Sequence, residues 1–294
     1  MLDFLIPILT TTFMYSTPLI FAALGGVISE RSGVINIGIE GIMTMGAFVA
    51  ASIAYYTSNP WLGLLAGGIV GSLVALLHAL ASITFAADQT ISGIALNFIG
   101  PGLAVFLCKI FFNGQTKTYP IHNKLPKIFY NLDITVVLAV ITAAVLYFIF
   151  KKTKLGLRIK AIGENPYAAD SLGINVYKTR YLCVIASGAL AGIGGSVTTL
   201  SVISQFSPSA ISGQGFIALA AVIFGKWTSL GAYFSCLLFA FAQALAVTFG
   251  GADFIPSEFL NMLPYVLTIF ILVFFVGKSS APKANGKPYV KGER

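Results

Sequence analysis

Apolar residues run through this chain in long, nearly unbroken blocks, without the alternation of a half-buried strand or the narrow stripe of a surface helix. Set against the roughly 20 residues that cross a bilayer as a helix, the blocks at 4–28, 34–56, 61–84, 90–112, 134–150, 181–204, 211–225, 229–249 and 260–277 predict nine spans. The fold class expected is an all-α, polytopic transmembrane helical bundle with interrupted helices. Polar stretches between the blocks are SERSG at 29–33, a loop at 113–133, the segment 151–180, and a basic, Gly- and Pro-containing tail at 278–294. The membrane domain is therefore expected over 1–277, with 278–294 a disordered tail. Block 211–225 is short for a crossing, and a re-entrant half-helix there would reverse the side of everything after it.

Composition agrees with the pattern. The chain is 57% hydrophobic and 10% charged, against about 25% charged in an ordinary soluble domain, which leaves too little charge to cover a water-exposed surface. The net charge of +8 raises nucleic acid as a partner. The basic residues, however, sit at block edges and in the tail, with no basic face interleaved with aromatics, so nucleic acid is set aside. Lys and Arg gather in cytoplasmic loops, which places 151–180 and the tail inside. Alternation through nine spans then leaves only Lys109, Lys117, Lys124 and Lys127 of the 18 basic residues outside, together with a short N-terminus. Cys108, Cys183 and Cys236 lie far apart inside apolar blocks and suit neither a disulfide framework nor a metal set.

Small residues recur every four positions at Gly63, Gly67 and Gly71 and at Ser187, Ala191 and Gly195, a spacing that lets helix backbones approach in lipid. Polar residues inside the blocks are few. Asn36 and Glu40 are four apart and share a helix face. A carboxyl at mid-membrane costs about 2.5–3.5 kcal/mol, so Glu40 should face protein or a water-filled cavity. It either caps a break at Ser32–Gly33, bonds a neighbouring helix, or lies on a transport pathway. Asn97 stands before Pro101, where it satisfies backbone groups freed by the proline or lines the same pathway. Gln214 is the fourth pathway candidate, although it suits an interhelical hydrogen bond as well, as do Gln89 and Gln243. His78 is read as satisfied by a neighbour.

Enzyme signatures are missing: HExxH, GxSxG, a paired-aspartate cluster and a Walker A loop are not present, so no catalytic or metal-binding residues are assigned. In GENPYAADSLG, Asn165 is a good N-cap, Pro166 suits the first helical position and Gly173 supplies the stop. A stub helix over 166–172 results, expected to expose Tyr167, Ala168, Ala169 and Leu172. It is too short to stand alone and either docks on a partner or lies against lipid head groups.

Taken together, RIKAIGENPYAADSLGINVYKTR with ASGALAGIGGS after it, ALGGVISERSGVINIGIEGIMTMGAF, ADQTISGIALN and GQGFIALAAVIFGKWTSLGAYFSCLLFAFAQAL resemble the permease subunits of ABC importers in the ribose, nucleoside and branched-chain amino acid group. The similarity covers about residues 18–277. The NIGIEG form and ADQTISGIALN are most similar to the shorter permease of nucleoside importers. This resemblance implies a non-catalytic plasma-membrane subunit with two related halves, which forms the nucleoside pathway with a second similar permease. It also implies an ABC ATPase using ATP and magnesium, an extracellular substrate-binding lipoprotein, and no cofactor on this chain. ATPase coupling would fall on Glu164, Asn165, Pro166, Tyr167, Ala168, Ala169, Asp170, Leu172 and Gly173. A simple sugar or branched-chain amino acid is the alternative cargo; an ion-coupled secondary carrier and an intramembrane enzyme are the readings from other classes.

Overall fold

The computed structural model describes residues 2–129, 132–249 and 281–292, together with Met262, Val266, Ile269, Phe270 and Val273 as isolated helical positions. Ten α-helices stand among them: α1 Leu2–Arg31, α2 Ile39–Thr57, α3 Pro60–Ala79, α4 Gln89–Phe111, α5 Ile134–Lys152, α6 Lys154–Glu164, α7 Pro166–Ser171, α8 Val176–Val197, α9 Gln214–Phe224 and α10 Ser229–Phe249. A small antiparallel hairpin, Lys127–Phe129 with Leu132–Asp133, precedes α5. Local chemistry sets the boundaries. Asn59 caps α3 by accepting from Trp61 N at 3.0 Å, Asp88 caps α4 through Ile91 N at 2.9 Å, and Asn175 caps α8 through Lys178 N at 2.9 Å.

Seven helices among the described residues are long and apolar enough to cross a membrane, and the chain is a multi-pass membrane protein. Among the described residues the count of nine is not reached. Block 211–225 yields only the eleven residues of α9, a rise of about 16 Å at 1.5 Å per residue against a hydrocarbon core of about 30 Å. Block 260–277 lies mostly outside the described residues. A second correction concerns 29–33, expected to be a short loop between spans. Helix α1 continues to Arg31, and residues 32–38 then run unwound to α2 with Ser32, Gly33, Val34, Asn36 and Gly38 buried. The turn is made at Gly33, whose φ of +87° favours glycine. Helices α3 and α8 each end in a π-helical turn, Leu80–Thr84 and Thr198–Ile203.

Helix α8 is the centre of the bundle and packs on α1, α2 and α3. Its contact with α3 is backbone on backbone: a Cβ on Gly71 would lie 2.2 Å from Gly188 O, and one on Gly192 would lie 2.2 Å from Gly67 O. The α3 repeat is thus matched by Gly188 and Gly192. The Ser187–Ala191–Gly195 stripe faces elsewhere, with Gly195 against Met43 O of α2 and Ser187 O against Gly25 of α1. Both stripes are small because α8 is enclosed on several sides.

Connections gather at two ends of the bundle. At one, Asn123 Nδ2 donates to Ser58 O at 3.0 Å and Ile121 N to Ser204 O at 2.8 Å. At the other, Arg31 Nε donates to Trp227 O at 2.7 Å and Ala284 N to Gly163 O at 2.9 Å. Residues 204–213 lead inward from the first end, and α9 completes the passage to the second.

The tail also departs from expectation. Residues 281–292 are seated against α6, α7 and α8, with Ala284 and Tyr289 buried. Asn285 Nδ2 donates to the buried Glu30 carboxylate at 3.1 Å. Tyr289 supplies the apolar anchor that the tail's basic composition conceals.

Candidate functional site

An unwound segment inside a bundle must find partners for backbone groups that a helix would satisfy internally. For 32–38 the partners are side chains from other helices. Arg180 Nε of α8 donates to Ser32 O at 3.2 Å, and Ile35 N donates to Gln89 Oε1 of α4 at 2.7 Å. His78 of α3 donates from Nε2 to Ile35 O at 2.9 Å, its Nδ1 lying 3.0 Å from Ser92 Oγ. Asn97 of α4 donates from Nδ2 to Ile37 O at 2.9 Å and accepts at Oδ1 from Gly41 N at 2.9 Å. Asn36 Nδ2 donates to Ser187 Oγ at 3.2 Å.

Asn97 therefore does satisfy freed backbone, though not at Pro101. Helix α2 begins after Gly38, which has no side chain to cap it, and Asn97 supplies the cap across the helix interface. Glu40 does the same for α9. The N-cap there is Gly213, and Glu40 Oε1 accepts from Gly213 N at 3.0 Å, placing a carboxylate where a helix N-terminus favours one. A Cβ on Gly215 would lie 2.6 Å from Glu40 Cα, so glycine at 215 is what lets α9 begin against α2. Gln214 Nε2 bonds Ala210 O in its own turn at 3.3 Å. Asn36, Glu40 and Asn97 thus gather around the unwound segment and the start of α2, with Gln214 next in chain to the residue that Glu40 caps. Among the described residues, Asn36 Oδ1, Glu40 Oε2, Gln89 Nε2, Arg180 Nη2 and Gln214 Oε1 are buried without a hydrogen-bond partner.

By sequence Arg180 is only one of the basic residues of 151–180, yet it is 1% exposed. The signal that could have found it is Val176, Arg180 and Val184, an i, i+4, i+8 row that buries one face of α8. Its Nη1 donates to Lys287 O in the tail at 3.2 Å.

The stub helix forms as expected, one residue shorter: Asn165 Oδ1 accepts from Ala168 N at 3.0 Å, Pro166 opens α7, and Gly173 takes φ +78°. Its exposure needs one correction. Ala169 is buried with Pro166, on the face turned toward Ile162, Val176 and Tyr289. A small side chain there lets so short a helix sit close on its supports. The outward face carries Glu164, Asn165, Tyr167, Ala168, Leu172 and Gly173, with Leu172 80% exposed and Asp170 half-buried. The Tyr289 ring packs at 5.1 Å from Tyr167 and 5.4 Å from Tyr177, and Tyr177 Oη donates to Tyr289 O at 3.2 Å. A continuous set of contacts therefore runs from α7 through the tail and Arg180 to Ser32.

Apolar helices interrupted inside the bundle, with a capped stub at one end, are the architecture of a membrane transport subunit. The chain matches the family described as branched-chain amino acid transport system / permease component over residues 8–272, and it belongs to that family. It is 44% identical to the guanosine ABC transporter permease protein NupQ of Bacillus subtilis, with 98% of this chain and 97% of the relative covered. The nucleoside ABC transporter permease protein NupC of Lactococcus lactis is also 44% identical, with 97% of each covered. A second Lactococcus lactis protein of the same description, NupB, is 29% identical over 91% of this chain and 80% of its own length. Among solved structures, an inward-facing ABC transporter of metal-chelate type shares the fold at a TM-score of 0.50 and 15% identity, covering 92% of this chain and 87% of that one.

Proposed function

We propose that this chain is the permease subunit of an ATP-driven importer of nucleosides, with the end bearing α6, α7 and the tail in the cytoplasm and the 113–133 loop outside. The observation that carries the reading is 44% identity along nearly the whole chain to permeases described as guanosine and nucleoside transporters. Two permeases of that description in one organism, one close to this chain and one more distant, support a heterodimer with a second permease. A separate ABC ATPase would take the outward face of α7, and a substrate-binding lipoprotein would deliver cargo on the other side.

Nucleosides are neutral and rich in hydrogen-bonding groups. Spare neutral polar atoms on Asn36, Gln89 and Gln214 support a pathway beside 32–40 and the start of α9. Asn97 and Glu40 act there by holding that backbone in shape. ATP-driven movement of α7 would reach the segment through Tyr289 and Arg180, which is the kind of two-state contact that coupling requires.

The test is uptake of labelled guanosine by vesicles holding this chain with its partner permease, ATPase and binding protein. Saturable, ATP-dependent uptake competed by other nucleosides is expected. Competition by a simple sugar or a branched-chain amino acid but by no nucleoside would overturn the cargo, and uptake driven by an ion gradient without ATP would overturn the class.

A further inference from the structure

A cavity of about 250 Å³ opens where α1, α5 and α10 reach the same end of the bundle. Three cations line it: Arg31 at the end of α1, Lys151 in the last turn of α5, and Lys160 of α6. Tyr147 and the hydroxyls of Thr228 and Ser229 complete its polar wall, and among the described residues no carboxylate lines it. Two of the cations are held in place. Arg31 donates from Nε to Trp227 O at 2.7 Å and from Nη2 to Lys226 O at 3.4 Å. The Lys151 ammonium lies 2.7 Å from Tyr147 Oη and 5.0 Å from the ring centroid. Burial, and then the nearby Arg31 charge, holds the Lys160 ammonium below the usual lysine range. Glu164 of α6 acts on Arg31 by its charge, but three cations converge on the cavity and no carboxylate among the described residues lines it, an arrangement suited to an anion.

Position and size narrow the anion. Arg31, Lys151 and Ser229 stand at or next to the ends of three candidate spans, at the height where hydrocarbon gives way to head groups. On the two helices that lead away from the cavity, Phe148 of α5 and Phe234 of α10 are 60% and 64% exposed, as side chains turned toward acyl chains would be. The volume falls below the roughly 300–1,000 Å³ of sites that enclose a whole organic ligand, so it suits a charged head whose bulk stays outside. We propose that this cavity binds the phosphate head of an anionic membrane phospholipid, with its acyl chains lying along α5 and α10. The phosphate would tie the end of α1 to α6 and to the α9–α10 turn, and the inference does not depend on which cargo is carried.

The full-length chain, purified in detergent and stripped of lipid, is titrated with phosphatidylglycerol, phosphatidylcholine or inorganic phosphate and followed by native mass spectrometry. Phosphatidylglycerol is expected to bind, and the Lys151→Gln/Lys160→Gln double variant to bind it at least about tenfold more weakly, each lysine near a lipid surface contributing about fivefold. Lys160→Gln alone leaves the Lys151–Tyr147 pair intact and should lose about fivefold, so the test stands even if the double variant does not fold. Equal phosphatidylglycerol binding by wild type and variants would overturn the proposal, as would equally tight binding of phosphatidylcholine. Inorganic phosphate binding that depends on the lysines, with lipid binding that does not, would assign the cavity to the free ion and also overturn it. Loss of ATPase copurification in the variants with lipid binding unchanged would make it a protein contact, with the same consequence.

Discussion

Replacing Asn97 with leucine removes two hydrogen bonds without opening a cavity, because the two side chains branch at the same carbon and fill nearly the same space. What remains is an unpaired Gly41 N–H and an unpaired Ile37 carbonyl at the start of α2. Each buried group left without a partner costs about 1–3 kcal/mol. Asn97 is itself only half-buried, so the lower part of the range applies and the pair should cost about 2–4 kcal/mol. For a chain of this size each kcal/mol lowers the thermal midpoint by about 2–4 °C, which predicts a fall of about 5–15 °C. Guanosine uptake by the assembled complex should fall severalfold, since the α2 start also positions Glu40 against α9. Asn97→Asp keeps an acceptor for Gly41 N–H but sets a second oxygen against the Ile37 carbonyl, so it should recover only part of the loss. The assays are thermal unfolding of the purified complex and uptake in vesicles. An unchanged midpoint with uptake lost would refute the capping argument and make Asn97 a pathway group, whereas an unchanged midpoint and unchanged uptake would refute both roles.

Tyr289→Ala, or truncation after Ser280, should leave ATP hydrolysis largely intact while uptake falls severalfold; coupled transport in the truncated chain would remove the tail from the mechanism. Ala168→Arg, on the outward face of α7, should weaken ATPase copurification without lowering the thermal midpoint. Ala169→Arg, on the buried face, should lower the midpoint as well, and identical behaviour of the two variants would contradict the orientation described. Gly71→Leu should prevent assembly, because its Cβ alone would lie 2.2 Å from Gly188 O; normal yield of the purified protein would refute that contact. All three native cysteines are buried, so Arg158→Cys and Lys124→Cys should react with an impermeant thiol reagent from opposite sides of the membrane, and labelling of both from outside would overturn the proposed orientation.

Much of the bundle was legible because span-length apolar blocks leave little choice of structure. The α7 stub was equally clear, since Asn165, Pro166 and Gly173 each fix a backbone state by local chemistry. Illegible were the features that depend on residues distant in sequence. Nothing near Asn97 says that its amide reaches across to α2; Pro101 offered a local explanation that proved the wrong one. Ala169 falls on the buried face against expectation, because so short a helix gives periodicity too few residues to show which side is covered. Arg180 is hidden because a basic residue in a polar segment carries the same signal as a topology determinant, although its row with Val176 and Val184 points inward. The tail misled through composition, which records its lysines and not the single tyrosine that seats it.

Arg180 receives one of its carbonyl partners from a residue 107 positions further along the chain. While the protein is being made, that guanidinium enters the bundle region long before Lys287 exists, and it must wait with Ser32 O as its partner there. Lys287 thus supplies, late in the chain, the second of two carbonyls that receive a guanidinium placed much earlier. A chain that stops short leaves a buried cation underserved, and such a product should be opened and degraded faster than its full-length counterpart. Residues 281–292 then act as a late lock on the bundle, and the lifetime of a chain depends on whether that lock has been made.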